Sequence, residues 1–270
     1  DVRDLPRLIK AMEDVDIVYH AAALKHVPVV EYNPFEAIKT NVLGSQNVID
    51  ACLHENIETV VCVGTDKAVS PLNTYGATKL LMEKLFVTAS NYTNRERHKT
   101  KFIAIRYGNV LGSSGSVVPT LLKQIESGRN ITITDPNMTR FNITMNQALD
   151  FIIRSSKKGN GGEVFIPKLK AYSLGILKEA ILEVLEKDVK TELISVRPGE
   201  KYHESLISSE EIRNTFEDKD DYVILEDSLQ NNIKTKKSTL TNQYSSDVVE
   251  CLTKKELKKI LIEEKLVSTK

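Results

Sequence analysis

Apolar and polar positions along this chain follow two rhythms in turn. Residues 15–23, VDIVYHAAA, make a short apolar run that ends in small residues, which predicts a buried strand leading into a loop. NPFEAIKTNVLGSQNVIDACLHEN (33–56) spaces its apolar residues at helical intervals, and Asn33 before Pro34 predicts the N-cap and first turn of a helix. ETVVCVGT (58–65) is a second β-branched run, YGATKLLMEKLFVTASNY a second helix, and KFIAIRYGNV (101–110) a third strand. None of these strands alternates polar with apolar residues, and helices separate them. That combination predicts a parallel sheet covered on both faces, a doubly wound α/β fold.

Beyond residue 115 the rhythm loosens. VVPTLLKQIESG, TMNQALDFIIRSSKKG and SLGILKEAILEVLEK read as helices, with NITITD and GEVFIPK as strands between them. TELISVRPGEK follows, then a polar stretch (226–247) expected to lie extended on the surface, then a last helix, TKKELKKILIEEK. The expected division is 1–115 as a nucleotide-cofactor domain carrying the chemistry, 116–225 as a smaller substrate-binding lobe, and 226–270 as a tail with its helix.

Charge narrows the partners. Thirty-seven basic residues balance thirty-seven acidic ones, so no net field favours nucleic acid or an anionic membrane, and a small molecule is the expected ligand. The three cysteines form no CxxC pair, which implies a reducing, cytoplasmic setting. No apolar run approaches the about 18 residues of a membrane span. His20 and His26 have no thiol or carboxylate at ligand spacing, so no metal site is expected.

The densest chemistry lies in VGTDKAVSPLNTYGATK (63–79). Asp66 and Lys67 follow the carboxyl end of a predicted parallel strand, the edge where open α/β sheets bind ligands. Tyr75 and Lys79 stand four apart at the start of a helix and share a face. A phenol with a pKa of about 10 becomes a base near neutrality when a nearby ammonium and the positive charge of a nicotinamide ring lower that value by about 3. Alone, Tyr-x-x-x-Lys marks many ordinary helix faces, and an Asp-Lys dipeptide is ordinarily a surface ion pair. Oxidation of an alcohol needs only the first pair; elimination of water needs a further acid and base, which Asp66 and Lys67 provide.

HAAALKHVP (20–28), TDKAVSPLNTYGATK, RYGNVLGSSGSVVP (106–119), MTRFNIT (138–144) and RPGEKYHE (197–204) occur in this order. Together they resemble the extended short-chain dehydrogenase/reductases, and within them the inverting UDP-N-acetylglucosamine 4,6-dehydratases of flagellin-sugar and capsule polysaccharide biosynthesis. The resemblance implies a Rossmann-like sheet with a smaller lobe, a UDP-sugar substrate, NADP as cofactor with NAD as the alternative, and a homo-oligomer. It implies that Tyr75, supported by Lys79, takes the C4 hydroxyl proton, that Lys67 removes the C5 proton and that Asp66 protonates the departing C6 hydroxyl. Thr65 is expected on the C4 oxygen.

On the cofactor the same resemblance places Asp1, Val2, Ala21, Ala22 and Lys25, together with Tyr75 and Lys79. On the sugar nucleotide it places Lys25, Asn109, Arg140 and Arg197, with Glu200 on a ribose hydroxyl or an arginine. Asn41 and His203 are expected to be structural. One part departs from the pattern: the strand, GxGxxG turn and helix that hold a cofactor pyrophosphate are missing, and GSSGS (112–116) follows a later strand instead. The missing strands and helices would take about 60 residues, so the chain is expected to be an N-terminally truncated piece, inactive by itself. A UDP-hexose 4-epimerase, which would use Tyr75 and Lys79 but neither Asp66 nor Lys67, and a non-catalytic nucleotide-sensing module are the competing readings.

Overall fold

A computed structural model describes residues 1–92, 98–225 and 235–267. In chain order its strands are β1 (Ile17–His20), β2 (Thr59–Val63), β3 (Lys101–Ile105), β4 (Asn109–Val110), β5 (Ile131–Ile133), β6 (Thr139–Ile143), β7 (Val164–Pro167), β8 (Ala171–Ser173), β9 (Thr191–Leu193), β10 (Ser205–Ile207), β11 (Thr215–Glu217), β12 (Asp221–Ile224), β13 (Lys236–Lys237) and β14 (Tyr244–Ser245). The helices are α1 (Leu5–Ala11), α2 (Val27–Tyr32), α3 (Pro34–Ala37), α4 (Gly44–His54), α5 (Thr74–Tyr92), α6 (Val117–Glu126), α7 (Met145–Lys158), α8 (Leu174–Val184) and α9 (Lys254–Glu263). No helix among the described residues is long and apolar enough to cross a membrane.

The chain folds into two units, each made of three separated segments. The first takes Asp1–Tyr107, Asp150–Lys168 and Ser205–Gln243; the second takes Gly108–Leu149, Leu169–Glu204 and Tyr244–Lys270. This differs from the contiguous division expected from the sequence, because the chain leaves the first unit after β3 and returns to it twice to add strands. Residues 226–234 of the stretch expected to lie extended fall outside the described residues.

The first unit is a Rossmann-like sheet in the order β1-β2-β3-β7-β12-β11-β13. β1, β2, β3 and β7 run parallel, with Thr59 of β2 paired to Ile17 on one side and to Lys101 on the other. All of β2 is buried, as an apolar run without alternation requires. β12 then pairs antiparallel with β7, and β11 with β12, so the sheet is parallel only in its first half. On one face Val61, Ile103 and Ile105 meet Phe151 of α7; on the other, Phe86 of α5 stacks on His20 at 5.5 Å and meets Phe102 edge-on at 6.0 Å.

Two sequence expectations change here. β1 runs into a loop as expected from 15–23, but the strand is not buried throughout: it lies at the edge of the sheet, with Ile17 and Tyr19 nearly half exposed. The predicted helix 33–56 forms as one unbroken run over Pro34–His54, but its middle is wider than expected: α3 continues through π-helix at Ile38–Leu43 into α4. Asn33 does start α3 but gives no side-chain cap; its amide donates back to the Val29 carbonyl at 3.0 Å.

The second unit packs α6, α8 and α9 around Leu121, Ile131, Met138, Leu177, Ile181 and Leu257. Two small sheets border this core, β4-β6-β8 and the parallel pair β5-β9. α9 begins with a full capping box between Thr253 and Glu256.

Candidate functional site

In the first unit the ends of β2 and β3 are laced together. The Gly64 N–H donates to the Ile105 carbonyl at 2.8 Å, and the Asp66 N–H to that of Tyr107 at 3.1 Å. A Cβ on Gly64 would collide with the Ile105 carbonyl oxygen, so glycine is needed for this approach. Asp66–Ala68 then form a single 3-10 turn. The turn presents Asp66 inward, fully buried, with its Oδ1 accepting from Lys67 Nζ at 3.0 Å and from Thr65 Oγ1 at 2.9 Å. The acid, base and hydroxyl expected from the sequence therefore form one hydrogen-bonded group.

α5 is set against this turn by its own start. The Asn73 Oδ1 accepts from the Gly76 N–H at 2.8 Å, and Glu31, on α2, accepts from the Thr74 N–H at 2.5 Å. A Cβ on Gly76 would run into the Lys67 carbonyl and Pro71, so the residue after Tyr75 must be glycine for α5 to lie this close. Tyr75 is buried. Burial raises its phenol above the ordinary value; the Lys67 ammonium lowers it, Asp66 raises it, and a Thr65 hydrogen bond lowers it.

The sequence expectation assigned the pKa-lowering ammonium to Lys79, and here the geometry differs. Lys79 Nζ donates to the Val63 carbonyl at 2.7 Å and to Met82 Sδ at 3.2 Å, within the core between α5 and β2. Burial lowers its pKa, while Cys62 and Glu83 act to raise it. The Lys67 charge lowers the Tyr75 pKa against the larger effect of burial, while Lys79 points to the sheet. Tyr107 stands near the Tyr75 phenol, and its own pKa is raised by burial and by Tyr75. The sequence reading passed over it.

The loop after β1 leaves Ala21, Ala22 and Lys25 exposed. Its backbone is gripped by Asn41 from the π-helical segment: Asn41 Oδ1 accepts from Leu24 N–H at 2.7 Å, and its Nδ2 donates to the Leu24 carbonyl and to Thr78 Oγ1, both at 3.0 Å. Asn41 is structural, as expected. A fixed loop with exposed methyl side chains beside a Tyr-Lys helix suits the flat nicotinamide end of a dinucleotide. At the chain start, the Asp1 carboxylate is held by Arg3, while the Val2 carbonyl accepts from Asn47.

The second unit gathers the residues expected on the sugar nucleotide into two groups. Asn109 of β4 pairs in register with Asn142 of β6, and both carboxamide oxygens are buried without a hydrogen-bond partner. Buried polar atoms of this kind are rarely left unmet, so a donor group, from ordered water or from a ligand, is their natural partner. Asn142 carried no sequence signal of its own. Separately, Arg140 is buried and committed: Nη1 donates to the Thr139 and Tyr202 carbonyls at 2.8 and 2.9 Å, and Nη2 reaches Glu200 at 3.4 Å. Glu200 therefore holds an arginine, and Arg140 has less to offer a phosphate than its charge suggested. Arg197 is exposed, at the head of a turn closed by Glu200 N–H on its carbonyl, with Gly199 in the left-handed region at φ 75°. His203 Nδ1 lies 2.8 Å from Thr139 Oγ1, a structural contact.

Residues 1–226 match the family model described as polysaccharide biosynthesis protein. An inverting UDP-N-acetylglucosamine 4,6-dehydratase of Campylobacter jejuni is 47% identical over 225 residues, which are 83% of this chain and 66% of that enzyme. A UDP-glucose 4-epimerase of Rickettsia massiliae is 38% identical over 97% of this chain and 78% of its own. The crystal structure of Pen from Bacillus thuringiensis superposes with a TM-score of 0.91 at 39% identity, covering 99% of this chain and 81% of that one.

Proposed function

Since the chain belongs to the polysaccharide biosynthesis family of extended short-chain dehydrogenase/reductases, we propose that its protein dehydrates UDP-N-acetylglucosamine to a UDP-4-keto-6-deoxyhexosamine, with NADP and with inversion at C5. The chain spans just under two thirds of the Campylobacter dehydratase, so the activity is proposed for the intact protein. The observation that carries the reading is the buried Asp66–Lys67 pair, joined at 3.0 Å beside Tyr75. A 4-epimerase needs no such pair.

The nicotinamide, when bound, supplies the acceptor and donor for hydride; Ala21, Ala22 and Lys25 would hold it, with Asp1 and Val2 toward the adenine. Tyr75 takes the proton of the C4 hydroxyl as C4 becomes a ketone, with Thr65 steadying that oxygen. Lys67 supports the phenolate in this step, and Lys79 fixes α5 to β2 while supplying a second, buried cation. The ketone acidifies C5–H, which Lys67 removes as a neutral amine, while Asp66 gives a proton to the C6 hydroxyl as it leaves as water; the C5–C6 alkene so formed would become product by taking back the hydride at C6 and a solvent-derived proton at C5 on the opposite face. An Asp–Lys ion pair and a neutral acid–amine pair hold the same number of protons. Burial of Asp66 penalises the charged form, and the 3.0 Å contact lets the proton pass to the carboxylate. Asn109 would donate from its Nδ2 to a diphosphate oxygen, the carboxamide oxygens of Asn109 and Asn142 would accept from a hydroxyl of the sugar nucleotide, and Arg197 would take a phosphate oxygen.

The test is to incubate the intact protein with UDP-N-acetylglucosamine in deuterated water. Loss of water with deuterium at C5 is the expected result, and the C5 configuration reports inversion. UDP-N-acetylgalactosamine without solvent deuterium would overturn the proposal. That outcome is the second reading, favoured by the 38% identity to the rickettsial epimerase. Asp66→Asn separates the two: without an acid for the C6 hydroxyl it should lower dehydration by about 100-fold or more, whereas an epimerase, which expels no water, keeps most of its rate.

A further inference from the structure

The first unit carries a buried ion cluster that this chemistry does not use. Arg106, at the end of β3, is fully buried, and each of its N–H groups is engaged. Nε and Nη2 form a fork on Glu83, both at 2.6 Å. Nη1 and Nη2 reach Glu211 at 3.0 and 2.7 Å, and Nη1 also donates to the Leu206 carbonyl at 3.1 Å. Buried charges of this kind add little to stability over an apolar filling, but their geometry is strict.

What the cluster joins is informative. Glu83 lies on α5 one turn beyond Lys79 and two beyond Tyr75, on the same face. Arg106 sits between Ile105 and Tyr107, whose carbonyls hold Gly64 and Asp66. Leu206 belongs to β10, which packs against the Asp66–Ala68 turn. The helix with the phenol, the strand end that holds the acid, and the segment behind the turn all meet at one guanidinium.

We propose that Arg106, clasped by Glu83 and Glu211, is a positioning residue that sets Tyr75 and Lys79 in register with Asp66 and Lys67. The proposal rests on the reading that these four side chains carry the reaction. Glu83 also acts on Lys79 by charge. The titratable groups facing that ammonium are Glu83 from α5, Cys62 from β2 and His20 from β1.

The test uses the intact protein and measures kcat, KM and the pH dependence of kcat. Glu83→Gln keeps the shape and removes the charge. The expected result is a kcat at least tenfold lower with KM within twofold, and an alkaline limb moved to lower pH as Lys79 loses its proton sooner. Arg106→Lys keeps a charge without the fork and should not rescue: kcat stays at least tenfold down. A folded Glu83→Gln protein with kcat within twofold of wild type and an unmoved limb overturns the proposal. If that variant does not fold, Glu211→Gln decides; its kcat should fall about threefold with KM unchanged, and a wild-type kcat overturns the proposal. Should the wild type epimerise rather than dehydrate, the proposed function fails while the same ratios are read on epimerisation. Should it do neither, 13C NMR of lysine, with Lys79→Arg to assign the signal, reads the cluster directly. Lys79 should titrate at lower pH in Glu83→Gln, and an unchanged titration overturns the proposal.

Discussion

His20 shows how burial at one residue becomes a property of the whole chain. Its ring is stacked on Phe86 and its Nε2 lies 3.0 Å from Ser45 Oγ, while burial, aided by the Lys79 charge, lowers its pKa from 6.5 to about 4. The unfolded chain takes up a proton below about pH 6.5, whereas the folded one resists until about pH 4. Neutral His20 therefore costs nothing above pH 6.5, and stability is lost as pH falls between those values, by about 3 kcal/mol at most. The melting temperature should drop between pH 7 and pH 5, and His20→Gln should flatten that dependence; parallel slopes for the two proteins would refute the assignment. Gly76 and Gly64 act at the same scale, by leaving room for a carbonyl where any side chain would push two packed segments apart.

Among the elements, α5 depends most on its first turn. Asn73 meets the Gly76 N–H, so Asn73→Ala should cost about 1 kcal/mol, read as a lower urea midpoint at unchanged slope. The parallel strands were legible in the sequence because TVVCV and KFIAI are buried on both faces and show no alternation. The grouping of Asp66, Lys67 and Tyr75 was legible because they fall within one short stretch, and a turn and a helix start suffice to bring them together. Other features were not. α2 is only six residues long, and Asn41, within the π-helical segment Ile38–Leu43, meets Leu24 and Thr78, both distant in sequence. The Asn109–Asn142 pair and the Arg106 cluster depend on partners between 23 and 105 residues away, which no local pattern encodes.

For the molecule as a whole, the antiparallel half of the main sheet is what the sequence concealed. It is attached through Asp221, fully buried, whose carboxylate receives Arg154 at 2.6 and 2.9 Å and Lys158 at 3.1 Å, both from α7. Asp221→Ala should cost about 2 kcal/mol, since charge-assisted bonds are lost while the two cations keep access to water. Thermal unfolding of the variant checks this. The interleaving of the two units also has a consequence in time. Arg106 and Glu83 are made early, but Glu211 emerges from the ribosome 105 residues after Arg106. At cellular rates of synthesis that is a wait of about 5–20 s. During it the guanidinium is only half clasped and the sheet stops at an unpaired margin, so the nascent chain passes through a vulnerable interval in which a chaperone would find its natural client.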